Sequence, residues 1–290
     1  MKVICDRGAL LDAVNQVSGV VNTRSPKPQL ACVKLVAEKN GSAGRLVLIG
    51  TDGEISLRLA IDRVDVAKPG EALVPADKLK AIVSAQESDP TLTIEADNDS
   101  CAIRGTDAKF KILGYAPSEF PPVPSFRQAA ENAKTVFSHP AGSLATLIAR
   151  TLFAAARENS RYAINGVLLK RDGKRLEMVA TDGRRLAIAR ANLVGAEKDA
   201  HAATCIVPAK ALSTILRLAG DGDETVRIAI SDTQVVLNFG GGEDDGRACL
   251  SSNLVEGAFP PYEDVVPKEQ DKFIEFDRDV MASAVRRAAL

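Results

Sequence analysis

Apolar and polar residues alternate with period two on either side of two Thr-Asp-Gly triplets. Leu46 and Leu48 precede Thr51-Asp52-Gly53, and Ile55, Leu57 and Leu59 follow it. Leu176 and Met178 precede Thr181-Asp182-Gly183, and Leu186 and Ile188 follow. Such alternation marks half-buried strands, and Asp-Gly between them is a hairpin signal because glycine tolerates positive φ. One triplet would predict a turn and nothing more. Two, about 130 positions apart in matching surroundings, predict a duplicated domain.

The remaining pattern keeps one order twice. In the first half a strand at Lys2–Cys5 leads to a helix with Leu10, Leu11, Val14 and Val17 on one face and Asp6 as its cap. Asn22 to Gln29, with Pro26 and Pro28, reads as a loop. Strands are expected at Val33–Leu35, Leu46–Ile49 and Ile55–Ile61, then a short helix carrying Leu79, Ile82 and Val83 behind Pro75. Further strands fall at Leu92–Ile94, Cys101–Arg104 and Phe110–Leu113, and Glu119–Pro124 must be extended.

The second half predicts a strand at Thr135–Ser138 and a longer helix with Leu144, Leu147, Ile148 and Leu152. Strands follow at Ile164–Leu169, Leu176–Ala180 and Leu186–Ala189; Cys205–Ala209 matches Ala72–Ala76 and leads into a helix with Leu212, Ile215 and Leu216. Val226–Ile230 and Val235–Phe239 read as strands. Thr-Asp-Gly, Val-Pro-Ala (Val74-Pro75-Ala76, Val207-Pro208-Ala209) and Phe-Pro-Pro (Phe120-Pro121-Pro122, Phe259-Pro260-Pro261) recur in that order in both halves. Beyond Pro267, Lys272–Phe276 reads as the opening strand of a third unit and Asp279–Leu290 as its first helix. The expectation is an α+β protein with domains at 1–127 and 128–268, and with 269–290 the start of a truncated third.

Length and charge sharpen this. A chain of 290 residues suits about two domains with sizeable cores. At net charge −1, any nucleic-acid surface must be local. The five cysteines are scattered with no Cys-x-x-Cys pair, which reads as reduced thiols in a cytoplasmic protein. The N-terminus turns charged too early for a signal peptide, and no apolar run approaches the ~20 residues of a membrane span.

No catalytic constellation stands out. His139 and His201 each lack a neighbouring metal ligand, and His139 reads as a surface or turn residue. Neither a phosphate-cradling Gly-x-x-x-x-Gly-Lys-Ser/Thr nor a Gly-x-Ser-x-Gly motif occurs. The acidic run Gly240–Gly246 reads as a solvated turn. Asp52 and Asp182 could be a hydrolase's paired acids, but their turns are sufficient reason for them. The chain reads as a non-enzyme with no metal and no cofactor. Cations do carry a signal. Arg150 and Arg157, and likewise Lys210 and Arg217, are seven apart, so each pair shares a helix face away from the apolar stripes. Without aromatic residues to stack on bases, repeated basic faces suit the phosphates of duplex DNA. A repeat-built scaffold for protein peptides, with no DNA role, is the rival reading.

Four further segments carry a resemblance. These are Met1-Lys2 with Gln16-Val17-Ser18-Gly19, Arg161-Tyr162-Ala163-Ile164-Asn165-Gly166, Ala180-Thr181-Asp182-Gly183 with Arg185-Leu186, and Phe259-Pro260. On them the chain resembles the bacterial sliding clamps, the beta subunit of the replicative DNA polymerase III, over two of that family's three domains and the start of the third. The resemblance implies domains of two helices packed on antiparallel sheets, six of which close into a ring from a head-to-tail homodimer. It implies a processivity factor that surrounds double-stranded DNA and tethers the polymerase catalytic subunit, the clamp loader and other proteins with clamp-binding peptides. DNA contacts carry over to Arg24, Arg161 and Tyr162, where Glu158 and Ala163 depart from the usual amide and aromatic. The partner-peptide pocket carries over to Ile164, Thr181, Gly183, Arg185, Leu186, Pro260 and Val265, with departures at Arg184, Pro261 and Asp264. The dimer interface carries over to Lys78, Ile82, Phe110 and Ile112 on one side and Arg287 and Leu290 on the other. With most of the third domain missing, weak peptide binding and no closed dimeric ring are expected.

Overall fold

The computed structural model describes residues 1–41, 43–97, 99–156, 163–193, 202–219, 224–242, 244–267 and 269–289. Met1–Phe259 forms one compact unit and Pro260–Leu290 a second.

In the large unit, β1 (Lys2–Asp6) feeds α1 (Arg7–Ser18), whose first turn is held by the Asp6 carboxylate accepting from Ala9 N at 2.8 Å. Leu10, Ala13, Val14 and Val17 form the buried face of α1. Three long strands follow, β2 (Cys32–Asn40), β3 (Ala43–Thr51) and β4 (Ile55–Ile61), then β5 (Val64–Lys68) and β6 (Gly70–Pro75). Helix α2 (Ala76–Ala85) starts directly behind Pro75 and buries Leu79 and Val83. It packs beside α1, and Arg7 ties the pair by donating to the Val83 and Ser84 carbonyls at 3.2 and 3.1 Å. Strands β7 (Thr91–Asp97), β8 (Ser100–Arg104) and β9 (Lys109–Leu113) complete this half.

The second half repeats the plan. β10 (Thr135–Pro140) leads to α4 (Ala141–Ala149), after the short α3 (Phe126–Glu131) in the connection. Then come β11 (Gly166–Asp172), β12 (Arg175–Thr181), β13 (Leu186–Asn192), β14 (Ala203–Pro208) and α5 (Ala209–Ala219). β15 (Thr225–Ile230), β16 (Gln234–Phe239) and β17 (Ala248–Asn253) follow, and α4 packs on α5 as α1 does on α2.

Three antiparallel sheets result, in the orders β5-β1-β7-β8-β9, β10-β15-β16-β17-β4-β3-β2-β6 and β13-β12-β11-β14. The eight-stranded sheet is shared: four strands come from each half, and β17 pairs with β4 from Ala248↔Leu59 to Ser252↔Ile55. One continuous apolar cluster runs from Val3 and Leu10 through Leu57 to Leu212 and Leu250. The α+β expectation, with two helices on antiparallel sheets in each half, agrees with this architecture.

Several expectations need correction. Helix α4 does not reach Leu152: it stops at Ala149, with Arg150 as its C-cap. The buried Thr151 hydroxyl donates back to the Leu147 and Ile148 carbonyls at 2.9 and 3.3 Å, and Leu152–Ala154 forms a separate 3-10 turn. Arg150 therefore stands past the last helical residue of α4, and its expected face-mate Arg157 lies outside the described residues. α3 was not expected, although Ser125 and Gln128 form a full capping box at its start. β5 and β17 were not expected either. Lys272–Phe276 is not a strand: these residues form no ladder with any described strand. His139 is not on the surface: it is 2% exposed, with Nε2 2.8 Å from Ser143 Oγ, and burial pushes its pKa down.

The second unit holds a 3-10 turn at Tyr262–Val265 and α6 (Arg278–Ala288), capped by Asp277 accepting from Asp279 N and Val280 N, each at 2.9 Å. α6 buries none of its residues, and Phe273, Ile274 and Phe276 are exposed.

Candidate functional site

The two Thr-Asp-Gly turns are built from the same hydrogen bonds. In the first, Thr51 Oγ1 donates to the Ile55 carbonyl at 2.9 Å and accepts from Gly53 N at 3.1 Å. Asp52 Oδ1 accepts from Glu54 N and Ile55 N at 2.9 and 2.8 Å. In the second, Thr181 Oγ1 donates to the Arg185 carbonyl at 2.7 Å and accepts from Gly183 N at 3.1 Å. Asp182 Oδ1 accepts from Arg184 N and Arg185 N at 3.0 and 3.1 Å. Gly53 and Gly183 take φ of +96° and +84°, which a side chain would strain. Asp residues committed to backbone N–H groups are turn builders, which agrees with their reading from the pattern.

Their outer carboxylate oxygens differ in partner. Asp182 Oδ2 accepts from Arg185 Nε at 3.1 Å. Hydrogen bonds from the Arg184 amide and its neighbours keep the Asp182 carboxyl below the usual range. Asp52 Oδ2 instead takes the ammonium of Lys210, which reaches across from α5. Burial raises the Asp52 pKa, but the Lys210 contact and the Ile55 and Glu54 amides outweigh it, so the carboxyl is held low. Lys210 also sits 3.4 Å from the Val20 carbonyl, so it ties the two halves together.

Around the second turn stand several of the residues expected to meet partner peptides. Arg185 donates through Nη2 to the Phe153 carbonyl at 2.7 Å and lies over the Phe153 ring, 5.4 Å from its centroid. Phe153 is 59% exposed and was missed by sequence reasoning; an aromatic just past a helix end was its only signal. Thr181 is 9% exposed, Gly183 is exposed and Leu186 is half-buried. Ile164 is 8% exposed, and its carbonyl accepts from Ala156 N at 2.9 Å. It is an anchored wall residue, not an open one. Pro260 and Val265 belong to the second unit, where Val265 is 70% exposed on its 3-10 turn.

The cations are unevenly placed. Arg24 is exposed, in a turn where its backbone N donates to Asn22 Oδ1 at 3.1 Å. Arg217 is exposed on α5, donating to Thr214 Oγ1 at 3.0 Å, and Arg150 is exposed beyond α4. Helix α4 itself carries no Lys or Arg, so the four helices do not present equal basic faces. Arg157, Glu158, Arg161 and Tyr162 lie outside the described residues. On the dimer side, Lys78 is exposed and Ile82 half-buried on α2, Phe110 is 37% exposed on β9, and Ile112 is buried. Arg287 is exposed on α6, donating to Ser283 Oγ at 2.7 Å, and Leu290 lies outside the described residues.

The acidic loop after β16 is more than a solvated turn. Asp245 Oδ1 accepts from Phe126 N at 2.7 Å, and its Oδ2 stands 3.2 Å from Arg58 Nε on β4. Asn238 closes the loop, donating to the Asp244 carbonyl at 2.9 Å and accepting from Gly246 N at 2.7 Å. The run is acidic because one carboxylate clasps the other half of the molecule. Among the described residues, no group of His, Cys, Asp and Glu could hold a metal ion, and no helix is long and apolar enough to cross a membrane.

A duplicated α+β domain whose copies join through one continuous sheet defines a class of repeat-built clamp proteins. Family models for the N-terminal and central domains of the DNA polymerase III beta subunit match residues 1–124 and 140–261. The chain is 33% identical to the beta sliding clamp of Pseudomonas aeruginosa and 30% identical to that of Escherichia coli K12, covering all of this chain and 74% of each relative. A crystal structure of a Pseudomonas aeruginosa sliding clamp bound to griselimycin superposes with a TM-score of 0.87 at 33% identity, again over the whole chain and 74% of that one. This chain belongs to the bacterial beta sliding clamp family, and its function is that of a DNA polymerase III processivity clamp. That family consists of accessory subunits, and the scaffold without a DNA role is not favoured.

Proposed function

We propose that the chain, as part of a closed ring, surrounds duplex DNA without sequence preference and holds partner proteins by short peptides at the pocket around Thr181–Leu186. The observation that carries the ring is the β17–β4 junction. By the repeat, β9 is the counterpart of β17 and β13 the counterpart of β4, and both are outer edges of their sheets. The pairing that joins the two halves can therefore recur at each end, which is what head-to-tail closure of a homodimer requires. Lys78, Ile82 and Phe110 flank the β9 edge in this reading, with Ile112 supporting it from inside.

Inside the ring, Arg24, Arg150 and Arg217 would meet phosphates, and the same role is proposed for Arg157, Arg161 and Tyr162, which lie outside the described residues. A clamp held by topology needs few such contacts, and weak phosphate contacts permit sliding. Lys210 contributes mainly by fixing the turn of Asp52. At the pocket, Arg185 and Phe153 form a stacked rim beside the apolar Leu186, with Ile164, Thr181 and Gly183 behind; the family pattern assigns Pro260 and Val265 to partner peptides as well. Leu or Phe anchors of the polymerase catalytic subunit, the clamp loader or other clamp-binding proteins suit it, since a few buried anchors carry most binding energy. The protein performs no reaction of its own, works in the cytoplasm, and is divided at 1–127, 128–268 and 269 onward.

The experiment is retention on DNA. A chain including the family's third domain, loaded on nicked circular DNA by a clamp loader, is expected to stay bound and to be lost on linearisation. Retention that ignores linearisation would overturn the ring reading.

A further inference from the structure

We propose that the cleft at the junction of the two halves is a second partner-peptide site, which takes a polar extended segment carrying a basic side chain. This rests on the reading of the pocket around Thr181–Leu186 as a peptide site, of which the cleft is the repeat counterpart.

The strand registers fix the equivalence. Thr51 stands opposite Ser56 as Thr181 stands opposite Leu186, and Cys32 faces Pro75 as Gly166 faces Pro208. Counting from those pairs, Leu30 replaces Ile164, Gly53 replaces Gly183, Glu54 replaces Arg184 and Ser56 replaces Leu186. By the Phe-Pro-Pro markers, Pro121 and Pro122 are the sequence counterparts of Pro260 and Pro261. All six replacements, together with Thr51, line one cleft of about 340 Å³ within the large unit. The first turn thus lines a cleft from the positions that match the proposed pocket.

The chemistry of the copy differs. Where the pocket offers Leu186, the cleft offers Ser56, whose hydroxyl donates to Thr51 Oγ1 at 2.8 Å. The far wall comes from the second half: Gln234 on β16 and Ser251 and Asn253 on β17. Ser251 stands directly across from Ser56, and its hydroxyl has no protein partner among the described residues. Gln234 Nε2 donates to Asn253 Oδ1 at 3.2 Å, which leaves Gln234 Oε1 and Asn253 Nδ2 for a ligand. Leu30 and the prolines keep a modest apolar floor. The charge is also reversed: Arg184 gives way to Glu54, and Glu119 on the rim joins it against the single Lys27. A peptide with hydroxyl or amide side chains and one Lys or Arg fits this lining, and a Leu- or Phe-anchored one does not.

The test uses two sets of synthetic hexapeptides read by fluorescence anisotropy. One combines a single Lys or Arg with Ser, Asn and Gln; the other carries Leu or Phe anchors. The variants are Glu54→Lys, at an exposed turn residue whose backbone alone is engaged, its N donating to Asp52 and its carbonyl accepting from Asn253 N, Asn253→Trp, which fills the cleft, and Leu186→Asp in the other pocket. Basic polar peptides are expected to bind the unaltered chain and Leu186→Asp alike. They should lose about tenfold in Glu54→Lys, the size of one charge-assisted hydrogen bond, and lose binding in Asn253→Trp. Absence of binding by every basic polar peptide, binding indifferent to both cleft variants, or binding abolished by Leu186→Asp would each overturn the proposal. The anchored peptides report on the other pocket alone, so failure of that reading shows only in Leu186→Asp.

Discussion

Replacing Asp245 with Ala should destabilise the molecule more than any change in an exposed acidic turn could. One carboxylate does two things there. Oδ1 satisfies Phe126 N at the head of α3, and Oδ2 balances Arg58 on the first half's β4. The Phe126 side chain is fully buried, so its N–H has no easy route to water. A lost hydrogen bond to a charged group is worth about 1.5–3 kcal/mol. Stranding the partner of a fully buried ion pair costs about 3–5 kcal/mol. Here the Arg58 and Asp245 side chains keep 25% and 19% exposure, so the second figure must be discounted for solvent screening. A net loss of about 2–3 kcal/mol follows.

For a chain of this size that corresponds to a fall in Tm of about 5–10 °C, read by circular dichroism and calorimetry. Asp245→Asn should recover part of the loss, because its carbonyl can still accept from Phe126 N. Adding Arg58→Met to Asp245→Ala should cost less than the sum of the two singles, since it removes the stranded charge. A Tm for Asp245→Ala within about 1 °C of the parent, the range of ordinary surface changes, would refute the reasoning.

Two further outcomes follow from burial. The folded His139 pKa is depressed by burial, so the fold prefers the neutral ring. Its contribution is complete above the unfolded value near about 6.5 and is lost as pH falls from there toward the folded pKa, because the unfolded chain then binds more protons. Tm should fall between about pH 7.5 and about pH 5.5, and His139→Gln should flatten that slope; an unchanged slope would count against it. The thiols are also shielded. Burial pushes Cys5 and Cys205 up to about 12 and Cys32 and Cys101 up to about 11, and raises Cys249 as well. A thiol reagent at mildly alkaline pH should leave all five unlabelled until denaturant is added, and rapid labelling of the native chain would contradict the packing.

The sequence made local structure legible wherever one face of an element meets water. β4 alternates buried and half-buried positions along its length, and α1 keeps its apolar stripe, so both could be read from period alone. β17 could not. Its first five residues are all buried, because Ala248 and Leu250 face the main core while Cys249 on the other face packs with Phe126 of α3, and a strand covered on both faces loses its alternation. The end of α4 was hidden for another reason. Leu152 continues the apolar spacing, but the Thr151 hydroxyl competes for the last carbonyls and turns the chain. At the site, the Lys210–Asp52 tie spans 158 positions and the Phe153–Arg185 stack 32, and no local pattern encodes such pairs.

The comparison of the two turns shows which positions a fold constrains and which it leaves open. Thr, Asp and Gly recur because each meets a backbone demand that no neighbour can meet: two hydroxyl bonds, two carboxylate bonds and a positive φ. The next residues meet no such demand, and there the halves diverge, to Glu54 and Ser56 in one and Arg184 and Leu186 in the other. Those are the side chains that face the cleft in the first half and the proposed pocket in the second. A duplicated backbone thus gives the cleft and the proposed pocket one turn geometry while the residues beside each turn differ in polarity and charge. Differences of that kind discriminate between partners, since a site that suits a basic polar segment leaves an apolar anchor without contacts and the reverse pocket strands the polar one. On this argument the first junction is a site with its own preference.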